Sequence, residues 1–185
     1  VGGTSVGYQA GSRMRSYSTA IGYKAGSTAY ELNFVAIGSN AGYNIGSYSV
    51  AIGSDSAYNF DEDYYVAVGY KAGYEAAGES AIWVGNSAGQ SASSATRSIG
   101  IGYQAGKNSS ASDSIYIGVN AGRSNSDNDY LYIGTASPAS NGTLIKGDMA
   151  NKMLAVGSAD ITLTDTFYIG IPASTKKGLV VKSAA

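Results

Sequence analysis

An all-β fold, a short-coil parallel β-solenoid of about 16 residues per coil, follows from three features of the chain. A kernel of the form apolar-x-[Ile/Val]-Gly-x-x-Ala-Gly recurs through residues 1–137, most clearly in Ser98-Ile99-Gly100-Ile101-Gly102-Tyr103-Gln104-Ala105-Gly106. Its glycines are Gly7, Gly22, Gly38, Gly53, Gly69, Gly85, Gly102, Gly118 and Gly134, spaced 15 to 17 residues apart. Before each glycine, β-branched residues stand at every second position, which marks a strand and not a helix. Proline is confined to Pro138 and Pro172, as expected where backbone N–H groups must bond the next coil.

Aligned on the kernel glycine, the sequence resolves into columns. One residue before it stand Val6, Ile21, Ile37, Ile52, Val68, Val84, Ile101, Ile117 and Ile133; three before it, from the third copy on, stand Val35, Val50, Val66, Ile82, Ile99, Ile115 and Leu131. These are expected to form a strand of about four residues and to fill the coil's interior. Between them lie Ala20, Ala36, Ala51, Ala67, Trp83, Gly100, Tyr116 and Tyr132, which alternation points away from that interior, toward a neighbouring chain.

Three residues after the glycine comes alanine (Ser56 once), usually followed by a second glycine. That pattern predicts a turn needing positive φ or leaving no room for a Cβ. Seven residues after the glycine, Met14, Ala29, Ile45, Phe60, Ala76 and Ala92 give way to Ser109 and Asn125. The polar remainder absorbs the length variation and is expected to form a second, outward strand and a loop. Nine stacked coils at about 4.8 Å make a rod roughly 40 Å long.

A coil this thin buries little. At about 25 cal/mol per Å² of apolar surface, two or three side chains barely offset ordering 16 residues at roughly 1.5 kcal/mol each. Small units in this position gain burial by associating. The sequence therefore predicts an oligomer, read as a trimer, held by the Ala/Trp/Tyr column. On this reading Tyr116→Ala weakens the assembly.

After Pro138 the period is lost, and residues 138–185 are expected to be a β-rich cap or transition module. Asn141-Gly142 signals a turn. Strand-like runs follow at Leu144–Asp148, Met153–Gly157, Ile161–Leu163, Phe167–Gly170 and Lys176–Val181. The chain opens at Val1, as expected of a fragment or processed product.

Composition removes several functions. The net charge of −1 lacks the clustered positive face that phosphates need, so no nucleic-acid partner is expected. No apolar run approaches 18 residues, so no membrane insertion is expected. Without Cys or His, the thiolate ligands and the commonest general base are missing. No metal, cofactor or catalytic residue is expected, and the chain is read as not an enzyme. Gly100-x-Gly102-x-x-Ala105 resembles a dinucleotide fingerprint only superficially, because no helix follows. Ser174-Thr175-Lys176-Lys177 lacks the companion motifs of a Ser-x-x-Lys enzyme. Asp127-Asn128-Asp129 lacks the glycine and bidentate Glu of an EF-hand.

The carboxylates nearest to a site are Asp61, Glu62 and Asp63, beside Tyr58, Tyr64 and Tyr65 in the most expanded loop. Glycosidic cleavage needs two carboxyls about 5 to 9 Å apart in a cleft. A solvated acidic loop is the plainer reading, with glycan contact by Tyr58, Tyr64, Tyr65, Asp61 and Asp63 as the alternative. The chain's 16 tyrosines pack well over small residues with their hydroxyls in water.

Thr19-Ala20-Ile21-Gly22-Tyr23-Lys24-Ala25-Gly26 and Val50-Ala51-Ile52-Gly53 resemble head repeats of YadA-type trimeric autotransporter adhesins. The Tyr-x-Ala-Gly variant at Tyr103–Gly106, and the run from Tyr130 to Asp148, are more similar to phage tail-fibre repeats. The resemblance implies a left-handed β-roll and threefold symmetry. It also implies a structural segment of an extracellular fibre, most like a phage tail fibre supporting host attachment. Bacterial adhesin heads and polysaccharide-degrading tailspike modules are the alternatives. The implied partners are two further copies, adjoining fibre segments and a host-surface glycan or protein receptor, on a virion or cell surface.

Overall fold

Each kernel forms a three-residue strand, and the strands lie one above another in a single sheet. The structure, a computed structural model, describes residues 2–15, 17–30, 32–135 and 143–156. The strands are β1 (Thr4–Val6), β2 (Thr19–Ile21), β3 (Val35–Ile37), β4 (Val50–Ile52), β5 (Val66–Val68), β6 (Ile82–Val84), β7 (Ile99–Ile101), β8 (Ile115–Ile117), β9 (Tyr130–Gly134), β10 (Thr143–Asp148) and β11 (Met153–Val156). They follow one another across the sheet in chain order. From β1 to β9 every pairing is parallel and joins like to like: Ala20 on Ala36 on Ala51, Ile21 on Ile37 on Ile52. The chain is a parallel β-solenoid with about 16 residues per coil.

The kernel glycine sets the stacking. From Gly22 to Gly118 its φ lies between +122° and +133°, a region L side chains rarely adopt. A Cβ built on Gly22, Gly38, Gly53, Gly69, Gly85 or Gly102 would stand 2.5–2.7 Å from the carbonyl oxygen of the next coil's glycine. The turn after it alternates in hand: Lys24 (φ +52°) and Gly26 (φ +55°), Asn40 (φ +54°) and Gly42 (φ +54°). Its N–H groups still reach adjacent coils. Lys24 N–H donates backward to Tyr8 O at 2.8 Å and Gly26 N–H forward to Ala41 O at 2.9 Å.

This alternation replaces the second strand expected in each coil. Left-handed residues at every second place do not extend, and on that side the Ile45–Phe60 pairing is an isolated bridge.

The strand's two faces are the reverse of the expected assignment. Ala20, Ala36, Ala51, Ala67, Trp83, Tyr116 and Tyr132 are wholly buried within the chain. Ile21, Ile37, Ile52, Ile101 and Ile117 point outward and remain 36 to 43% exposed. The cause is room. The interior is bounded by the strand on one side and the turn on the other, with Ala25, Ala41, Ala72, Ala88, Ala105 and Ala121 also buried inside it. Two rows of branched side chains do not fit across that gap, whereas alanine does. Tyr116 consequently fills the coil and does not face a neighbouring chain, so the oligomer-weakening effect expected of Tyr116→Ala loses its basis.

Four columns line the interior, at four and two residues before the kernel glycine and three and seven after it. The first holds Ser18, Phe34, Ser49, Tyr65, Ala81, Ser98 and Ser114, all buried. Its serines serve the backbone of the next coil: Phe34, Tyr65, Ser114 and Tyr130 donate N–H to the Oγ of Ser18, Ser49, Ser98 and Ser114 at 3.1–3.4 Å.

Beyond β9 the sheet turns antiparallel, β10 pairing with β9 and β11 with β10. The strand-like runs expected at Leu144–Asp148 and Met153–Gly157 correspond to β10 and β11, with Gly157 outside the described residues. The Asn141-Gly142 turn, the boundary at Pro138 and the later strand-like runs lie outside the described residues.

The largest interior side chain, Trp83, is admitted because the coil after it is hollow. The coil of Gly102 contributes Ser98, Gly100, Ala105 and Ser109, and Trp83 leans into it from the coil before. A Cβ on Gly100 would strike the Trp83 indole, and one on Gly106 would meet both Trp83 and Tyr116. Gly100→Ala should cost about 1–3 kcal/mol through overpacking. Trp83→Ala should cost about 3–5 kcal/mol through the cavity it leaves. Urea denaturation of the double variant should show less than the sum, because the added methyl then occupies vacated space.

Candidate interaction surfaces

The five residues singled out in the acidic loop are split by the fold. Tyr65 lies wholly inside the coil, its ring 3.6 Å from that of Phe60, so it offers nothing to an external glycan. Asp63 is committed locally, its Oδ1 accepting the Ser47 N–H at 2.7 Å. Tyr58 stacks between Tyr43 at 5.1 Å and Tyr74 at 5.2 Å. Both its faces are covered, and a sugar needs a free ring face to stack. Tyr64 and Asp61 remain exposed, Tyr64 stacked on Tyr48 at 5.3 Å. Tyr8 and Tyr23, Tyr43, Tyr58 and Tyr74, and Tyr48 and Tyr64 thus form packing ladders along the solenoid, ring on equivalent ring one coil away.

A second feature, missed in the sequence columns, is a polar cluster inside the last coils. The Tyr116 hydroxyl lies 3.0 Å from Ser109 Oγ and accepts from Asn125 Nδ2 at 3.1 Å. Tyr132 donates to Asn125 Oδ1 at 3.4 Å. Ser109 and Asn125 replace alanine in their column where tyrosine replaces alanine across from them. The change partners two hydroxyls that would otherwise be buried unpaired. Burial holds the Tyr132 hydroxyl neutral well beyond the usual tyrosine range.

The outward face of the sheet is a continuous, partly exposed apolar surface. Its two ranks run Ile21, Ile37, Ile52, Val68, Val84, Ile101, Ile117 and Val35, Val50, Val66, Ile82, Ile99, Ile115 without a charged residue. Tyr23, Tyr70 and Tyr103 flank them, with Lys24 and Lys71 over the Tyr23 and Tyr70 rings at 5.3 and 5.4 Å. An apolar centre with a polar, cationic rim is the anatomy of a protein interface. Eight coil steps of about 4.8 Å by roughly 10 Å of strand width give about 400 Å², as large as the biggest patches on monomers.

Among the described residues there is no group of three potential metal ligands, and no helix is long and apolar enough to cross a membrane. Comparison of the chain with protein-family models, curated proteins and solved structures gives no match.

Buried Tyr65 differs from Tyr116 in having no hydrogen-bond partner for its hydroxyl among the described residues. Burial raises its pKa well above that of a free tyrosine. A folded-state pKa above the unfolded value of about 10 means stability present below pH 10 and lost as the pH rises beyond it. Tyr65→Phe should therefore be neutral or stabilising by about 1 kcal/mol at pH 7, since no hydrogen bond is lost. Its stability should also fall less steeply above pH 10, as read by urea denaturation across the alkaline range. Tyr116→Phe, which removes two hydrogen bonds from a buried cluster, should cost about 1–2 kcal/mol in the same assay.

Proposed function

We propose that this chain is a structural segment of a trimeric extracellular fibre, most like a phage tail fibre that holds a host-binding tip away from its base. The observation that carries the proposal is the pair of outward Ile/Val ranks, which the chain's own residues cover only in part along the solenoid. The interior is mostly alanine and serine and gives each coil little burial, so covering the outer face is the main gain still open to the fold.

Three-residue strands make that face narrow. Three narrow faces can converge on one axis and enclose a continuous branched-aliphatic core. The resemblance of the kernels to trimeric adhesin heads and tail-fibre repeats supports the same symmetry. The mode of association is the reverse of the sequence expectation: isoleucine and valine meet between copies, and the Ala/Trp/Tyr column stays within each. Function is then mechanical, a stiff rod whose stacked backbone bonds run along its axis. Attachment to a host glycan or protein belongs to the assembled fibre.

Light scattering should give three times the 18.8 kDa chain mass. A stable monomer at micromolar concentration would refute the proposal. Ile52→Glu places a charge on the outward face and should weaken assembly at least tenfold while the monomer keeps its β-sheet circular dichroism.

A further inference from the structure

We propose that the antiparallel pair β10–β11 belongs to the same copy-to-copy interface as the solenoid, extending it past the last parallel coil. The inference rests on the assembly reading above and adds a surface to it. The register carries the argument. Ile145 of β10 lies opposite Ile133, and Gly147 opposite Leu131; in turn Val156 of β11 lies opposite Ile145, and Leu154 opposite Gly147. By register the outward face therefore runs on through two further strands: Ile145 extends the Ile133 rank, while the Leu131 rank is interrupted at Gly147 and resumes at Leu154. Leu154, at 67%, is the most exposed aliphatic side chain described.

The opposite face of β10 is already occupied. Lys146 Nζ lies 4.8 Å from the centroid of the Tyr130 ring and 5.5 Å from that of Tyr132, and Tyr130 donates its hydroxyl to Asp148 Oδ2 at 3.3 Å. Asp148 is fixed in turn by Asn151, whose N–H and Nδ2 donate to its two oxygens at 2.9 and 2.8 Å. An edge hairpin facing water on its outer side would place its polar residues there. This one does the reverse. Lys146 and Asp148 close the solenoid interior over the last tyrosines, and Ile145 and Leu154 join the outward face. Continuity points to a second copy of the chain as the occupant, because on the assembly reading the same outward face meets one along the solenoid. Ten strand steps of about 4.8 Å lengthen the face to roughly 50 Å.

The chain has no cysteine, so single substitutions report without background. In the full chain, Leu154→Cys should react with a thiol reagent at least tenfold more slowly in the assembly than after dilution to monomer. Ser93→Cys, on the exposed rear of the solenoid, should react equally fast in both. Leu154→Glu should weaken assembly at least tenfold by sedimentation, with unchanged circular dichroism. If Ile52→Glu dissociates the assembly while Leu154→Glu and the Leu154→Cys reactivity do not respond, the interface ends at β9 and this inference fails while the fibre reading stands. A wild-type chain that is monomeric throughout removes both.

Discussion

At every kernel glycine the chain bends through a backbone conformation closed to other residues, and the next coil's carbonyl sits where a side chain would begin. Close stacking, register and coil width all depend on that contact. Because glycine lies on glycine, isoleucine is forced onto isoleucine and alanine onto alanine. Because the bend is tight, the turn returns near the strand and leaves a narrow interior lined mainly by small side chains. The alanine-lined interior and the outward-facing isoleucines are two results of the same geometry.

The narrow gap also explains why the sequence revealed the architecture but not its inside. Period, strand position, parallel stacking and the left-handed second turn are properties of backbone and glycine spacing, and the columns expose them directly. Which face of a Val-Ala-Ile strand is buried is a different question. Hydropathy places valine and isoleucine inside, and that is sound only when there is space for them. The clue lay in compensation along a column: Gly100 follows Trp83, and Ser109 and Asn125 appear where Tyr116 and Tyr132 do. A solvent-facing or interchain column has no need to conserve volume and hydrogen bonds with its neighbours in this way; a sealed interior does.

The proposed glycan contacts divide for a similar reason. Tyr64 and Tyr65 are adjacent in sequence, yet one stacks outside on Tyr48 and the other is enclosed beside Phe60. A single-residue step across a coil corner exchanges inside for outside, so clustering in sequence says little about clustering on a surface. The antiparallel end follows the same logic on another scale. Pairing register alone carries the outward ranks into β10 and β11, although the amino-acid period that announced them has stopped.

Each strand touches only its immediate neighbours in chain order, so adding or removing one complete repeat leaves the backbone pairing of the other strands as it was. Rod length is thereby uncoupled from rod design. Unequal recombination between near-identical coding units could shorten or extend such a solenoid in increments of about 5 Å, with no fresh solution needed for the bend or the backbone stacking.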